Sequence, residues 1–134
     1  MTEKNIRLAV SEEVNRAAEA KKAADLLYDN GLITDAVSKL YYYLLYHIRG
    51  LLLTKDLEPK SHESALRLFG LHFVKPGIFE PQASHIFSRL MKFREEADYN
   101  PSYTFTKEDY IQFREEAASL TALVEMYLHK GGFY

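Results

Sequence analysis

Cysteine is absent from the 134 residues. That absence removes a disulfide framework, a thiolate metal site and a cysteine nucleophile together, and it fits a reducing, intracellular setting. An excess of positive charge is missing as well: 17 Lys and Arg stand against 19 Asp and Glu, a formal net charge of -2. A protein that coats nucleic acid draws most of its affinity from a strongly basic surface, so any contact with RNA here has to be local. No long hydrophobic run occurs either. The longest apolar stretch, around Leu40 to Leu53, is broken by His47 and Arg49 and carries Tyr41, Tyr42, Tyr43 and Tyr46, which makes it too polar to span a bilayer. Met1 to Val10 alternates charged and apolar residues, so nothing there resembles a secretory signal. These absences together predict a cytoplasmic protein with no membrane partner.

Strand-like alternation is also lacking, and helical periodicity takes its place. Ser11, followed by Glu12 and Glu13, predicts the cap of a first helix that stops at Asn30-Gly31, with Ala17, Ala20, Ala24 and Leu27 on one stripe. Ile33, Val37, Leu40, Leu44, Ile48 and Leu51 predict a second helix from Leu32 to about Thr54, expected to be the longest and the most buried. Lys55 to Lys60, with Pro59, has no periodicity and is expected to be a loop. Ser61 then opens a short third helix running to about Phe69. Lys75-Pro76-Gly77 signals a turn. A fourth helix carries Ile86, Leu90, Phe93 and Ala97 and ends before Asn100-Pro101, because the residue before a proline avoids helical geometry. Thr106 and Asp109 have the spacing of a capping box ahead of a fifth helix with Tyr110, Phe113, Ala117, Leu120, Val124 and Tyr127, which Gly131-Gly132 closes. The expected fold is all-α, an antiparallel up-and-down bundle of about five helices, forming a single domain over 1–134 with its core at about 11–130.

Other absences narrow the function. Ala23 to Tyr46 could pass for one tetratricopeptide unit, but no second copy follows, and such repeats need stacked neighbours. The histidines at 47, 62, 72, 85 and 129 include no i, i+4 pair and no HExxH arrangement, so neither a metal nor another cofactor is expected. His62 stands apart, at a helix start behind a proline-containing loop, where it either caps the turn or faces a ligand. The four tyrosines of the second helix surround nearly its whole circumference, so some are expected outside the core. Such a group marks a protein interface more often than a base-stacking surface, and a homodimer is the simplest partner. Arg94 and Asp98 share one helical face at i, i+4, with Tyr99 next to them as the helix breaks. They form either an exposed ion pair or a site in which the arginine fork holds a phosphate while the acid and hydroxyl position a nucleotide. In the second case, loss of Arg94 is expected to weaken nucleotide binding and to leave folding nearly unchanged.

Four ordered blocks carry a resemblance. Ala36-Val37-Ser38-Lys39-Leu40-Tyr41-Tyr42-Tyr43, Arg49-Gly50-Leu51-Leu52-Leu53, Leu57-Glu58-Pro59-Lys60-Ser61-His62 and Arg94-Glu95-Glu96-Ala97-Asp98-Tyr99 are together similar to the small stand-alone HEPN (higher eukaryotes and prokaryotes nucleotide-binding) proteins of bacteria and archaea, over about Val14 to Leu128. The resemblance implies a helical bundle, commonly dimeric, that is often encoded beside a minimal nucleotidyltransferase as a toxin and antitoxin pair. It also implies a metal-independent RNase site, in which active members place a histidine a few residues after an arginine, usually across the dimer. Arg94 fits that arginine. After four intervening residues, however, comes Tyr99, and no histidine follows until His129. A tyrosine with a pKa near 10 is a far poorer base at neutral pH than an imidazole near 6.5. Nucleotide or RNA binding through Arg94, Asp98, Tyr99 and His62 therefore stands beside two further possibilities, cleavage with a displaced histidine and a non-catalytic protein-interaction module.

Overall fold

Helix formation begins earlier than a cap at Ser11 predicts. In the computed structural model, which describes residues 1–134, the Thr2 hydroxyl accepts from the Asn5 backbone N–H and α1 runs Glu3–Asp29. Ser11 lies inside it. The apolar stripe reaches further back than the capping signal: Val10 is fully buried and Ile6, one turn earlier, packs against the core. Tertiary burial of that stripe draws about two additional turns into the helix. Beyond Asn30, Gly31 takes a φ of +77°, the left-handed conformation that glycine adopts without a Cβ clash.

The second helix, α2 (Ile33–Leu53), is the centre of the bundle. Twelve of its 21 residues are buried, and α1, α3, α4 and α5 all pack on it. Its expected status as the longest helix is not met, since α1 has 27 residues and α5 has 24. Burial tracks how many neighbours surround a helix, whereas peripheral helices are free to extend. Ala17, Ala20 and Ala24 of α1 turn inward. The two backbones come close enough that a Cβ added to Gly50 would lie 3.6 Å from Glu13 Cβ.

Ser61 caps α3 (His62–Phe69) in a reciprocal box: its hydroxyl accepts from the Ser64 N–H, and the Ser64 hydroxyl accepts from the Ser61 N–H. The helix then passes into one π-helical turn, Gly70–Val74, which no residue pattern announces. Phe69 and Phe73 on this segment are both fully buried. They join Phe79 and Tyr127 in an aromatic cluster, with Phe69 to Phe79 at 5.6 Å and Phe73 to Tyr127 at 5.5 Å between ring centroids.

After the turn at Gly77, α4 runs Pro81–Tyr99 and α5 runs Lys107–Lys130 behind the Thr106 and Asp109 capping box. Phe93 and Ala97 of α4 are only partly buried. Its deeper stripe is Ala83, Ile86, Phe87, Leu90, Met91 and Arg94. The five helices form the expected all-α antiparallel bundle around one cluster of 29 buried apolar residues. No helix is long and apolar enough to cross a membrane.

Candidate functional site

The last turns of α4 carry Arg94 into the bundle. Its side chain is only 6% exposed, so it is not the surface charge that an exposed Arg94 and Asp98 ion pair requires. The cause lies across the helix contact. The Arg94 guanidinium carbon sits 5.4 Å from the centroid of the Tyr41 ring on α2 and 5.7 Å from that of Tyr99. Aromatic faces attract a cation that has given up water. Asp98 Oδ2 lies 3.6 Å from Arg94 Nη1, an ion pair too long for a hydrogen bond, and the buried Nε has no partner. The result is a fixed cation with unused donors, a costly arrangement for a purely structural residue. Because Arg94 is buried packing as well as charge, its removal is expected to cost stability, contrary to the expectation from sequence.

The 54–61 connection brings His62, the first residue of α3, to the same place. Tyr41 Oη and His62 Nδ1 are 2.8 Å apart. Tyr41 is fully buried, and burial holds its hydroxyl well above the usual tyrosine range, with Arg94 opposing only in part. It therefore stays protonated and can serve the imidazole as donor or acceptor. Burial, and after it the charge of Arg94, pushes the His62 pKa below the ordinary 6.5, so the ring is neutral at pH 7. With Nδ1 tied to Tyr41, Nε2 is the nitrogen left for a ligand. Tyr42 stands beside this pair, 6.1 Å from the His62 ring centroid, and its hydroxyl is also pushed up, by burial first.

A surface cleft of about 460 Å³ gathers these groups. Tyr42, His62, Arg94 and Tyr99 line it, with Glu95, Glu96 and Asn100. Of the four residues singled out from sequence, His62, Arg94 and Tyr99 share the cleft, while Asp98 reaches it only through Arg94. Tyr99 is 75% exposed, and the guanidinium lies against its ring face. Arg94 is the one cation lining the cleft, and Glu95 and Glu96 are its two carboxylates. No group of three or more His, Asp or Glu side chains is placed to hold a metal ion.

Tyr41 and Tyr42 were missed as members of this site, although the tyrosine run that contains them was conspicuous. The packing divides the four tyrosines between core and surface, as their spread around the helix leads one to expect. Tyr41 is in the core, and Tyr43 Oη lies 2.9 Å from Thr121 Oγ1. Tyr42 and Tyr46 remain half-buried at the surface, with the Arg16 guanidinium 4.3 Å over the Tyr46 ring. The signal that separates the tyrosines is a contact 21 residues away in sequence, from Tyr41 to His62, and helical periodicity does not encode it.

Comparison with known proteins gives the family. The HEPN domain model matches residues 10–127, close to the span of the resemblance. A Methanocaldococcus jannaschii protein whose name calls it a candidate toxin is 34% identical over 127 residues, covering 95% of this chain and 89% of that protein. A second candidate toxin from the same organism is 27% identical over 121 residues, covering 90% of this chain and 73% of its own. A UPF0332 protein of Thermotoga maritima is 30% identical over 110 residues, 82% of this chain and 83% of its own. With the family model matched from the first fully buried valine to the last turn of α5, the chain belongs to the HEPN domain family.

Proposed function

We propose that this HEPN chain has a toxin-like role and binds RNA or a nucleotide in the cleft at the end of α4, with Arg94 on a phosphate. The observation that carries this is the convergence of a buried, underpaired Arg94 with the neutral imidazole of His62 and the ring of Tyr42 in one concavity. A protein-interaction module would more naturally scatter these groups over a flat surface. The names of the two Methanocaldococcus relatives support the toxin-like role, and the family resemblance extends it to a nucleotidyltransferase antitoxin as partner and to a homodimer. The half-exposed Leu8, Leu26, Leu123 and Met126 on α1 and α5 supply surplus apolar surface for the dimer. A single-chain mass in light scattering at micromolar and higher concentration would remove it.

Binding is the core of the proposal, and efficient cleavage through Tyr99 is not part of it. General acid–base help is worth about 10² to 10⁴ in rate and needs a group that exchanges a proton near neutrality. A second reading gives that task to His62, and the 2.8 Å bond to Tyr41 favours it by fixing the ring with Nε2 free. The test is titration of the purified chain with labelled single-stranded RNA, with degradation followed at pH 7 in chelator. Binding without appreciable cleavage is expected, and Tyr99→His should gain cleavage. Cleavage by the parent that disappears in His62→Ala would establish the second reading. Absence of binding to every nucleotide and RNA tried would return the chain to the interaction-module class.

A further inference from the structure

We propose that the Arg94 cleft is the first of two consecutive nucleotide subsites, so that the ligand is single-stranded RNA of at least two nucleotides. The inference rests on the reading of the Arg94 cleft given above and adds to it the groove between α1 and α2. That groove holds a second cavity, again of about 460 Å³, lined by Arg16, Lys39, Tyr42 and Tyr46, with Ala20, Ala23 and Glu19. Each volume falls within the range of about 300 to 1,000 Å³ typical of small-ligand pockets. Tyr42 lines both cavities. A ligand that fills one cavity therefore meets, in Tyr42, a side chain that also lines the other.

The chemistry of the second cavity suits the next nucleotide of a flexible strand. Tyr42 and Tyr46 lie one helical turn apart on α2, with ring centroids 6.0 Å apart, and successive bases stack on such rings with little regard to sequence. The Arg16 guanidinium 4.3 Å over Tyr46 continues that platform, since bases stack on arginine planes as they do on aromatic rings. Arg16 is half exposed and only singly paired, to Glu13 at 3.3 Å. Lys39 takes part in none of the ion pairs of the fold. Lys39 is therefore available to a backbone phosphate, with the partly paired Arg16 beside it. Glu19, the one acid lining the groove, repels a phosphate and leaves the backbone to the side of Lys39 and Arg16.

The experiment compares adenosine monophosphate, a diadenosine dinucleotide and a short single-stranded oligoribonucleotide by calorimetric titration against the full chain and three variants. The dinucleotide should bind about tenfold more tightly than the monophosphate, a gain of the order that one more stacked base supplies. Tyr46→Ala and Lys39→Glu should each erase most of that gain without altering affinity for the monophosphate, whereas Arg94→Gln should weaken both ligands. A monophosphate that binds and responds to Arg94→Gln, beside a dinucleotide that binds no more tightly, overturns the second subsite and leaves the first cleft standing. The second subsite is equally overturned if neither Tyr46→Ala nor Lys39→Glu affects the dinucleotide. Binding of no ligand at all overturns the Arg94 cleft and the inference together. A Tyr46→Ala change that shifts the mass in light scattering while dinucleotide affinity is unchanged assigns the groove to a second copy of the chain, and also overturns the proposal.

Discussion

The two sides of α2 use a tyrosine hydroxyl in opposite ways. Toward α5, Tyr43 Oη meets Thr121 Oγ1 at 2.9 Å, Thr121 is 1% exposed, and the neighbouring His47 is sealed with its Nδ1 3.0 Å from the Tyr43 carbonyl oxygen. Toward α3 and α4, Tyr41 Oη meets His62 Nδ1 at 2.8 Å, yet the adjoining Arg94 makes no hydrogen bond and the surface opens into a cleft. Both sides place polar groups at a helix contact. On the first side most of the groups close on one another and specify how two helices pack, although the buried His47 Nε2 makes no hydrogen bond and lies 3.8 Å from Glu125 Oε2. On the second, donors converge and stay unused, which is where sequences characteristically accept local cost in exchange for binding.

The sharpest way to break this contrast is Arg94→Ala. On the open side it should weaken RNA binding by about 1 to 3 kcal/mol, the worth of a charged hydrogen bond, and lower folding stability by about 1 to 3 kcal/mol through lost packing. RNA titration and urea unfolding separate the two effects, and unchanged affinity would make the open side as structural as the closed one. Thr121→Val should act on the closed side alone. It removes the partner of the Tyr43 hydroxyl, costing about 1 kcal/mol in urea unfolding, and leaves RNA affinity at the parent value. Tyr41→Phe is expected to cost less than about 1 kcal/mol, because the half-exposed His62 can turn to water; its larger effect should be weaker RNA binding through loss of the fixed ring.

The smallest expected effect is a pH dependence. In the free chain, burial and Arg94 keep the His62 pKa below 6.5. A phosphodiester in the cleft favours the imidazolium, so binding takes up a proton, and by linkage affinity rises as pH falls from 7 through the range in which His62 titrates. A diester ligand avoids the second ionisation of a terminal phosphate. His62→Gln should flatten the profile, and a parent profile equally flat would remove His62 from the cleft.

Much of the bundle was legible because it depends on local patterns. The Ser61 cap, the Thr106 and Asp109 box, the breaks at Gly31 and before Pro101, and the buried run along α2 all follow from spacing within one helix. The start of α1 was misplaced because a capping signal at Ser11 competes with an apolar stripe that only packing makes decisive. The π-helical turn was invisible, since nothing in Gly70-Leu71-His72-Phe73-Val74 distinguishes it from an α-helical turn. Within the site, Arg94, Tyr99 and His62 could be named from residue chemistry and resemblance. Asp98 was named with them, yet it touches the cleft only through Arg94. The burial of Arg94 and the part of Tyr41 depend on where three helices meet, information that lies in no single segment.

One feature of the packing sets a hierarchy of motion. At the level of the backbone, α1 lies against α2 and no other helix. It reaches α5 through Tyr28, stacked 4.7 Å from Tyr110 and covered by Arg114. A helix with one main neighbour can detach without unfolding the rest, so its amide hydrogens should exchange with solvent through a partial opening. The amides of α2, against which four helices pack, must wait for global unfolding. Because α1 supplies Arg16, Ala20 and Ala23 to the groove beside Tyr46, a strand of RNA bridging α1 and α2 would close that opening and act as a clasp between the two helices.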